Sequence, residues 1–137
     1  MTENEIYRKL QPILSKFGTT VRVENTIVSG IPDVLFFTHD LLLLLELKVI
    51  HSGKIRIQPF QFSFLTKVAH DYPEDKVWFV MCGPEELGLY PWTQVKVSAM
   101  KCTDLGSIDV SDLVPQYKVC DKHGIRLWIG DLNGKFR

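Results

Sequence analysis

Two neighbouring apolar segments constrain the fold of this chain most strongly. Residues 33–37 and 41–50 consist mainly of Leu, Val, Ile and Phe, and only Thr38, His39 and Asp40 separate them. Short segments of this kind, joined by a polar turn, predict an antiparallel β-hairpin. Their hydrophobicity is nearly continuous instead of alternating, so both faces of the sheet must be covered. The sequence therefore predicts a sheet with helices on both sides.

The segments around this hairpin complete an α/β pattern. Thr2 and Glu5 have the spacing of a capping box, and an apolar stripe follows them until Gly18, which predicts a first helix. Pro59 is typical of the first turn of a second helix. The predicted elements are, in order, a helix over residues 2–18, strands over 19–24, 33–37 and 41–50, a helix over 59–72 and a strand over 76–82.

The rest of the chain has a weaker pattern. Loops are predicted over 25–32 and 51–57. After Gly83 we predict one or two short strands within 89–97, a short helix over 110–117 and a last strand over 126–129. A length of 137 residues is that of one domain. We expect its core to span about residues 1–97, with residues 98–137 as a variable C-terminal extension.

Composition predicts an ordered protein that acts inside the cell. The chain is 45% hydrophobic and 23% charged, as in typical globular domains. Its apolar runs, such as Leu41 to Leu45, are far shorter than the roughly 20 residues that span a bilayer, and the N-terminus lacks the pattern of a signal peptide. Three widely spaced cysteines favour a reducing compartment. We therefore expect a cytoplasmic protein without membrane association.

The hairpin is predicted to bring Asp33 opposite Glu46. With the turn centred between His39 and Asp40, these two residues pair across the strands, and directly opposed side chains lie about 4.5–5.5 Å apart. Two carboxylates at that separation repel each other unless a cation lies between them. Lys48 lies two residues beyond Glu46 and so points to the same face. This arrangement predicts a site for Mg²⁺ or Mn²⁺ and a phosphate.

The charges of these groups indicate their roles. Asp33, Glu46 and the backbone carbonyl of Leu47 would hold the ion, which lowers the pKa of a bound water and offsets phosphate charge. Lys48 would orient the water or stabilise charge on the phosphate. These residues also have an interpretation without function, in which Pro32-Asp33 is a turn dipeptide and Glu46 and Lys48 form a solvated ion pair. Against it, Glu46 and Lys48 interrupt a strand of apolar residues.

Other charged residues are candidates for contacts with nucleic acid. Lys54 and Arg56 follow the predicted strand 41–50 and would bind phosphates at the rim of the site. An equally weighted alternative is that both are solvated loop residues without a function. Arg22 would flank the site from the preceding strand. The formal net charge of zero argues against a nucleic-acid partner, because phosphate binding usually leaves a basic surface.

Three segments together resemble the PD-(D/E)xK nuclease superfamily. They are Gly30-Ile31-Pro32-Asp33-Val34, Leu45-Glu46-Leu47-Lys48 and Ile57-Gln58-Pro59-Phe60-Gln61, the last of which opens an apolar helix. More narrowly, they resemble the VRR-NUC branch and the neighbouring Holliday-junction resolvases, including small stand-alone phage versions. The resemblance covers roughly residues 1–82.

The resemblance implies a restriction-endonuclease-like αβββαβ core, with a mixed central sheet flanked by helices. It implies that Asp33 and Glu46 are metal ligands, that Lys48 is the catalytic lysine, and that Gln61 points back at the site. It also implies an acidic metal ligand in the first helix. By position Glu5 fits this role best, and Glu3 is the alternative. An equally open possibility is that Glu5 only caps the helix.

The implied activity is that of a Mg²⁺- or Mn²⁺-dependent endonuclease. It would hydrolyse phosphodiester bonds in DNA, with branched DNA such as Holliday junctions as substrate, and would act as a homodimer. A catalytically retired nuclease fold that binds DNA or protein is the main alternative, and the neutral charge favours it. An α/β protein for a small nucleotide ligand would need a GxGxxG or GxxxxGK loop, which the sequence lacks.

Overall fold

A computed structural model of the protein describes residues 1–23, 32–83, 86–119 and 122–134. The helices are α1 (Glu3–Leu14), α2 (Pro59–Asp71), α3 (Trp92–Met100) and α4 (Lys122–Gly134), and a 3₁₀ turn covers Glu74–Lys76. The strands are β1 (Thr19–Arg22), β2 (Val34–Phe37), β3 (Leu42–Val49), β4 (Lys54–Ile55), β5 (Val77–Cys82), β6 (Leu87–Pro91), β7 (Ile108–Asp109) and β8 (Tyr117–Lys118).

Six of these strands form one mixed sheet in the order β1-β2-β3-β5-β6-β8. Strands β3 and β5 run parallel, because α2 carries the chain back across one face, and the other neighbours are antiparallel. β4 and β7 form a separate two-stranded sheet. A mixed sheet flanked by helices confirms the predicted fold class.

The β2–β3 hairpin has the predicted register. Val34 pairs with Leu45, and the Thr38 N–H donates to the Leu41 carbonyl at 2.8 Å to close the turn. One step before Val34, the same register brings Asp33 beside Glu46. The turn between the paired residues Phe37 and Leu42 has only four residues, 38–41, which leaves little freedom for slippage, and a shift by one residue would expose the buried side of each strand.

Hydrophobic cores lie on both faces of the main sheet, as the continuous apolar segments require. Alternate residues of β3 point to opposite sides. On one face, Leu43, Leu45 and Leu47 pack with buried residues of α1 and α4. On the other face, Leu44 packs at the edge of a cluster that includes Leu65 of α2 and residues of α3. Glu46 and Lys48 share the α2 side of β3.

Helix α1 begins as predicted and ends earlier than expected. Thr2 caps it by accepting the N–H of Glu5 at 3.2 Å. The helix stops at Leu14, one turn before Gly18, and Gly18 has a different role. A Cβ at this position would lie 2.1 Å from the Phe37 carbonyl oxygen. Glycine is therefore needed where the chain passes close to the backbone of β2.

Two predictions for the last third of the chain are wrong, and a third is right only in part. One or two short strands were predicted within 89–97, and the structure has β6, which ends at Pro91, followed by α3. Buried Trp92, Val95 and Ala99 have helical spacing, which outweighs the β-branched residues between them. Residues 126–129 lie inside α4 and not in a strand. The helix expected over 110–117 is absent from this described segment, which consists of turns and extended chain.

Residues beyond 98 belong to the main packing of the molecule. β8 is part of the six-stranded sheet, and the buried face of α4 joins the first core through Ile125, Trp128 and Leu132. Trp128 stacks on Phe36 with ring centroids 6.2 Å apart. The segment that was expected to be a variable extension thus covers one face of the sheet.

The predicted polar loop at 51–57 contains a short strand. His51 and Lys54 exchange backbone hydrogen bonds across a turn in which Ser52 and Gly53 have φ values of 52° and 75°. β4 then pairs with β7. The predicted loop at 25–32 falls almost entirely outside the described residues. No helix within the described ranges is long and apolar enough to cross a membrane.

Candidate active site

Three carboxylates from separate elements meet at one point. Glu3 lies in the first turn of α1, Asp33 immediately precedes β2, and Glu46 lies in β3. One oxygen of each lies within 4.8 Å of the others. Glu46 is 1% exposed, Asp33 is half-buried, and Glu3 is more open to solvent. The hairpin supplies the predicted pair of acids, and α1 supplies a third.

The acidic residue that α1 contributes to this cluster is Glu3. The sequence favoured Glu5, with Glu3 as the alternative. Glu5 is exposed, and its backbone N–H and carboxylate both contact Thr2 in the helix cap. These two glutamates are two residues apart, and on a helix such positions face different directions.

Asp33 is held in place by the backbone of both neighbouring strands. Its Oδ2 accepts the N–H of Leu47 at 2.9 Å, and its carbonyl accepts the N–H of Val23 at 2.8 Å. One carboxylate oxygen is therefore used to fix the side chain. Participation of the Leu47 carbonyl in a metal site stays a prediction.

Gln61 links the acidic cluster to Lys48. Its Nε2 donates to Glu46 Oε1 at 3.2 Å, and its Oε1 accepts from the Gln58 N–H at 3.0 Å and from Lys48 Nζ at 3.3 Å. Lys48 Nζ also lies 3.9 Å from Glu46 Oε1. Gln61 stands in the first turn of α2, where the capping interaction with Gln58 fixes its direction.

The cluster stores unfavourable electrostatic energy when it is fully ionised. Burial raises the pKa of Glu46 well above its usual range, and the neighbouring Asp33 carboxylate adds to the rise, while Lys48 opposes it. Partial burial and Asp33 likewise raise the pKa of Glu3. A single ammonium is not enough to balance three acids, so the site favours an additional cation.

The donor set fits a hard divalent cation. Oε2 of Glu46 is buried and has no hydrogen-bond partner among the described residues, and buried polar atoms are rarely left unpaired. Three carboxylates offer the oxygen ligands that Mg²⁺ and Mn²⁺ prefer. Glu3, Asp33 and Glu46 therefore form a candidate metal centre.

A cleft of about 930 Å³ opens above this centre. Glu3, Asp33, Lys48 and Gln61 line one part of it. Another part of the lining comes from the β4–β7 sheet and its loops, which contribute His51, Lys54, Arg56, Gly106 and Ser107. The structure thus brings Lys54 and Arg56 into the cleft with the predicted catalytic residues. Arg22 does not line the cleft and contacts α1 instead.

The fold resembles that of Hjc, a Holliday junction resolvase from the archaeal hyperthermophile Archaeoglobus fulgidus. The two structures align with a TM-score of 0.58 over 92% of this chain and 97% of Hjc, at 16% sequence identity. This chain has a resolvase-like fold. At such low identity the likeness shows the fold alone. No protein-family model matches the sequence, and a comparison with curated proteins finds no significant match.

Within this resolvase-like fold, sequence reasoning missed one feature of the site. Gly106 and Ser107 reach the cleft only because β7 pairs with β4, and no local motif signals that contact. On α2, the side chain of Phe60 is 50% exposed, whereas Phe62 packs against Trp92 with ring centroids 5.7 Å apart.

Proposed function

We propose that this protein is a metal-dependent endonuclease that hydrolyses phosphodiester bonds in DNA. The observation that carries the proposal is the meeting of Glu3, Asp33 and Glu46, with Lys48 beside them and with a buried oxygen of Glu46 that has no hydrogen-bond partner among the described residues. Hard oxygen ligands and an ammonium at the floor of an open cleft are suited to a phosphate and an attacking water. The proposal includes membership of the PD-(D/E)xK superfamily, in its VRR-NUC or resolvase branch.

Each residue of the site has a defined part in this chemistry. The three carboxylates would hold Mg²⁺ or Mn²⁺, which when bound lowers the pKa of water and offsets negative charge on the phosphate. Lys48 has three N–H donors, one of which is directed to Gln61. The remaining donors would orient water or donate to a phosphate oxygen as negative charge develops. Gln61 fixes the separation of Lys48 from Glu46.

Branched DNA is the substrate that we propose, inside the cell where such DNA is found. A strand that leaves the regular duplex would enter the cleft of about 930 Å³ above the carboxylates. A four-way junction has two equivalent strands, and a two-fold dimer presents two equivalent sites to them. We therefore propose a homodimer, which sedimentation analysis of the protein alone and with junction DNA will test.

Cleavage assays on matched DNA substrates test the function directly. Purified protein is incubated with duplex, flap and four-way junction DNA in Mg²⁺, in Mn²⁺ and in EDTA. We expect cleavage that requires the ion and is fastest on the junction. Absence of cleavage on all three substrates, or full activity of a Glu46→Ala/Lys48→Ala variant, contradicts the proposal.

Mn²⁺ binding separates the enzyme from a retired nuclease fold that only binds DNA or protein. The neutral net charge favours that second candidate. A retired site has no need to retain metal affinity, so calorimetry that shows no Mn²⁺ binding to the acidic cluster would favour it. Binding of Mn²⁺ that Glu46→Gln removes supports the enzyme.

Removal of Lys54 and Arg56 should weaken DNA binding without slowing the chemical step. Both side chains are exposed, and both residues line the cleft. If each contacts a phosphate, the Lys54→Gln/Arg56→Gln variant should lower the slope of log K against log salt by about 2, roughly one per contact. Fluorescence anisotropy over a salt series measures this slope. The KM should rise while kcat stays close to that of the wild type.

A charge-matched variant on another surface controls for net charge. Lys16 and Arg126 are exposed near the end of α1 that lies away from the site. Lys16→Gln/Arg126→Gln removes the same number of positive charges and should leave the salt slope nearly unchanged. Equal slopes for the two double variants would contradict a phosphate-binding wall.

A further inference from the structure

Arg22 joins the end of β1 to the first turns of α1. Its Nη2 donates to Asn4 Oδ1 at 3.2 Å, and its guanidinium carbon lies 5.3 Å from the centroid of the Tyr7 ring. Tyr7 in turn forms a hydrogen bond of 3.1 Å with Thr20 of the same strand. Three contacts thus hold the N-terminal part of α1 against β1.

This connection joins the two segments that carry Glu3 and Asp33, two of the three carboxylates. Asn4 directly follows Glu3 in the helix. On the other side, Arg22 pairs with Val34, the residue after Asp33, and the N–H of Val23 donates to the Asp33 carbonyl. The end of β1 therefore determines where α1 stands relative to the segment that carries Asp33.

The surroundings of Arg22 indicate that its side chain stabilises the structure and does not contact DNA. Arg22 is half-buried, and its Nη1 is buried without a hydrogen-bond partner in the described part of the chain. It is not among the residues that line the cleft. Its charge also opposes the rise in the Glu3 pKa that burial and Asp33 produce.

We propose that Arg22 is a positioning residue, which holds Glu3 within the carboxylate cluster by fixing the start of α1 to β1. The inference rests on the proposed metal-dependent function. Arg22 would support the metal centre without being one of its ligands. It replaces the sequence-based prediction that Arg22 contacts nucleic acid.

Whether removal of Arg22 weakens or strengthens Mn²⁺ binding distinguishes a positioning role from a purely electrostatic effect of its charge. A positive charge near a cation site repels the cation, so its removal alone would strengthen Mn²⁺ binding. Loss of a residue that orients a ligand typically weakens metal binding by about 10–100-fold. We therefore expect Arg22→Gln to weaken Mn²⁺ binding by about 10-fold or more. Arg22→Lys retains the charge without the planar fork and should also bind Mn²⁺ more weakly than the wild type.

A double-mutant cycle with Glu3 tests whether Arg22 acts through that residue. Calorimetry measures Mn²⁺ affinity for the wild type, Arg22→Gln, Glu3→Gln and the double variant. If Arg22 serves to place Glu3, its removal has little further effect once Glu3 is gone, since coupled residues are not additive. Asn4→Ala, which removes the hydrogen-bond acceptor, provides a second and milder route should Arg22→Gln fail to fold.

The results that would disprove the role of Arg22 differ from those that would disprove the proposed nuclease function. Arg126 also lies over an aromatic ring, that of Phe17, at the far end of α1, so Arg126→Gln is the matched control and should leave Mn²⁺ affinity unchanged. Unchanged or stronger Mn²⁺ binding by Arg22→Gln, or fully additive losses in the cycle, overturns the role of Arg22. Absence of Mn²⁺ binding by the wild type overturns the proposed function as well.

Discussion

Replacement of Glu46 by glutamine is expected to abolish metal-dependent cleavage and to stabilise the metal-free protein. Removal of groups that only orient a metal ligand costs about 10–100-fold, so loss of the ligand itself should lower kcat by on the order of 10³-fold. The stabilising effect has a separate cause. Glu46 is 1% exposed and lies beside Asp33, and a neutral amide of the same shape avoids burial of that charge.

The stability difference between the two proteins should grow with pH. Because burial and Asp33 raise the pKa of Glu46, the folded state holds this proton more tightly than the unfolded state does. The wild type therefore loses stability as the pH rises above about 4.5, the ordinary pKa of the group, and the loss is complete once the pH exceeds the raised value. The amide of the Glu46→Gln variant does not titrate. Urea unfolding in EDTA at about pH 5 and about pH 8 measures the difference.

Divalent metal should reverse the order of stability. Excess Mn²⁺ stabilises a protein that binds it in the folded state, by about 2.7 kcal/mol at a hundred times Kd, so the wild type should then be the more stable protein. Glu5→Gln is the matched control, because Glu5 lies outside the cluster and contacts Thr2. If Glu46→Gln is less stable than the wild type in EDTA at both pH values, Glu46 is not a strained group that favours a bound metal.

The part of the site built on the hairpin was predictable because local rules determine it. A short turn of four residues, 38–41, fixed the register that sets Asp33 beside Glu46, and strand alternation set Lys48 on the same face. The third carboxylate was not fixed in this way. Whether Glu3 or Glu5 faces the sheet depends on the rotation of α1 about its axis, and that rotation is set by contacts with β1 and the core.

Prediction of the fold failed where the apolar pattern fits two structures. The segment Arg126–Ile129 contains Leu, Trp and Ile in succession, which favours a strand when it is considered alone. Only a wider window, with buried Ile125, Trp128 and Leu132, has the three- and four-residue spacing of a helix. Residues 106–107 reach the cleft through a pairing of two-residue strands, and such short strands leave no periodic signal in the sequence.

Substitution of Lys48 by methionine should separate catalysis from metal binding. Methionine has a similar unbranched length and no charge, so the packing beneath Gln61 is largely retained. Loss of a group that stabilises transition-state charge typically lowers kcat by about 10²–10³-fold, and we expect a loss of this size. Single-turnover cleavage of a junction at saturating Mn²⁺ measures it.

Metal affinity in Lys48→Met should stay the same or increase, in contrast to every substitution of a carboxylate. The Lys48 ammonium lies 3.9 Å from Glu46 Oε1 and competes with a cation for the same negative charge. Lys54→Met provides the comparison, because that lysine lines the same cleft from β4, outside the carboxylate cluster, and should alter KM instead of kcat. A Lys48→Met variant that cleaves at the wild-type rate would show that Lys48 does not act on the phosphate. A variant that loses Mn²⁺ binding would show instead that Lys48 supports the metal centre.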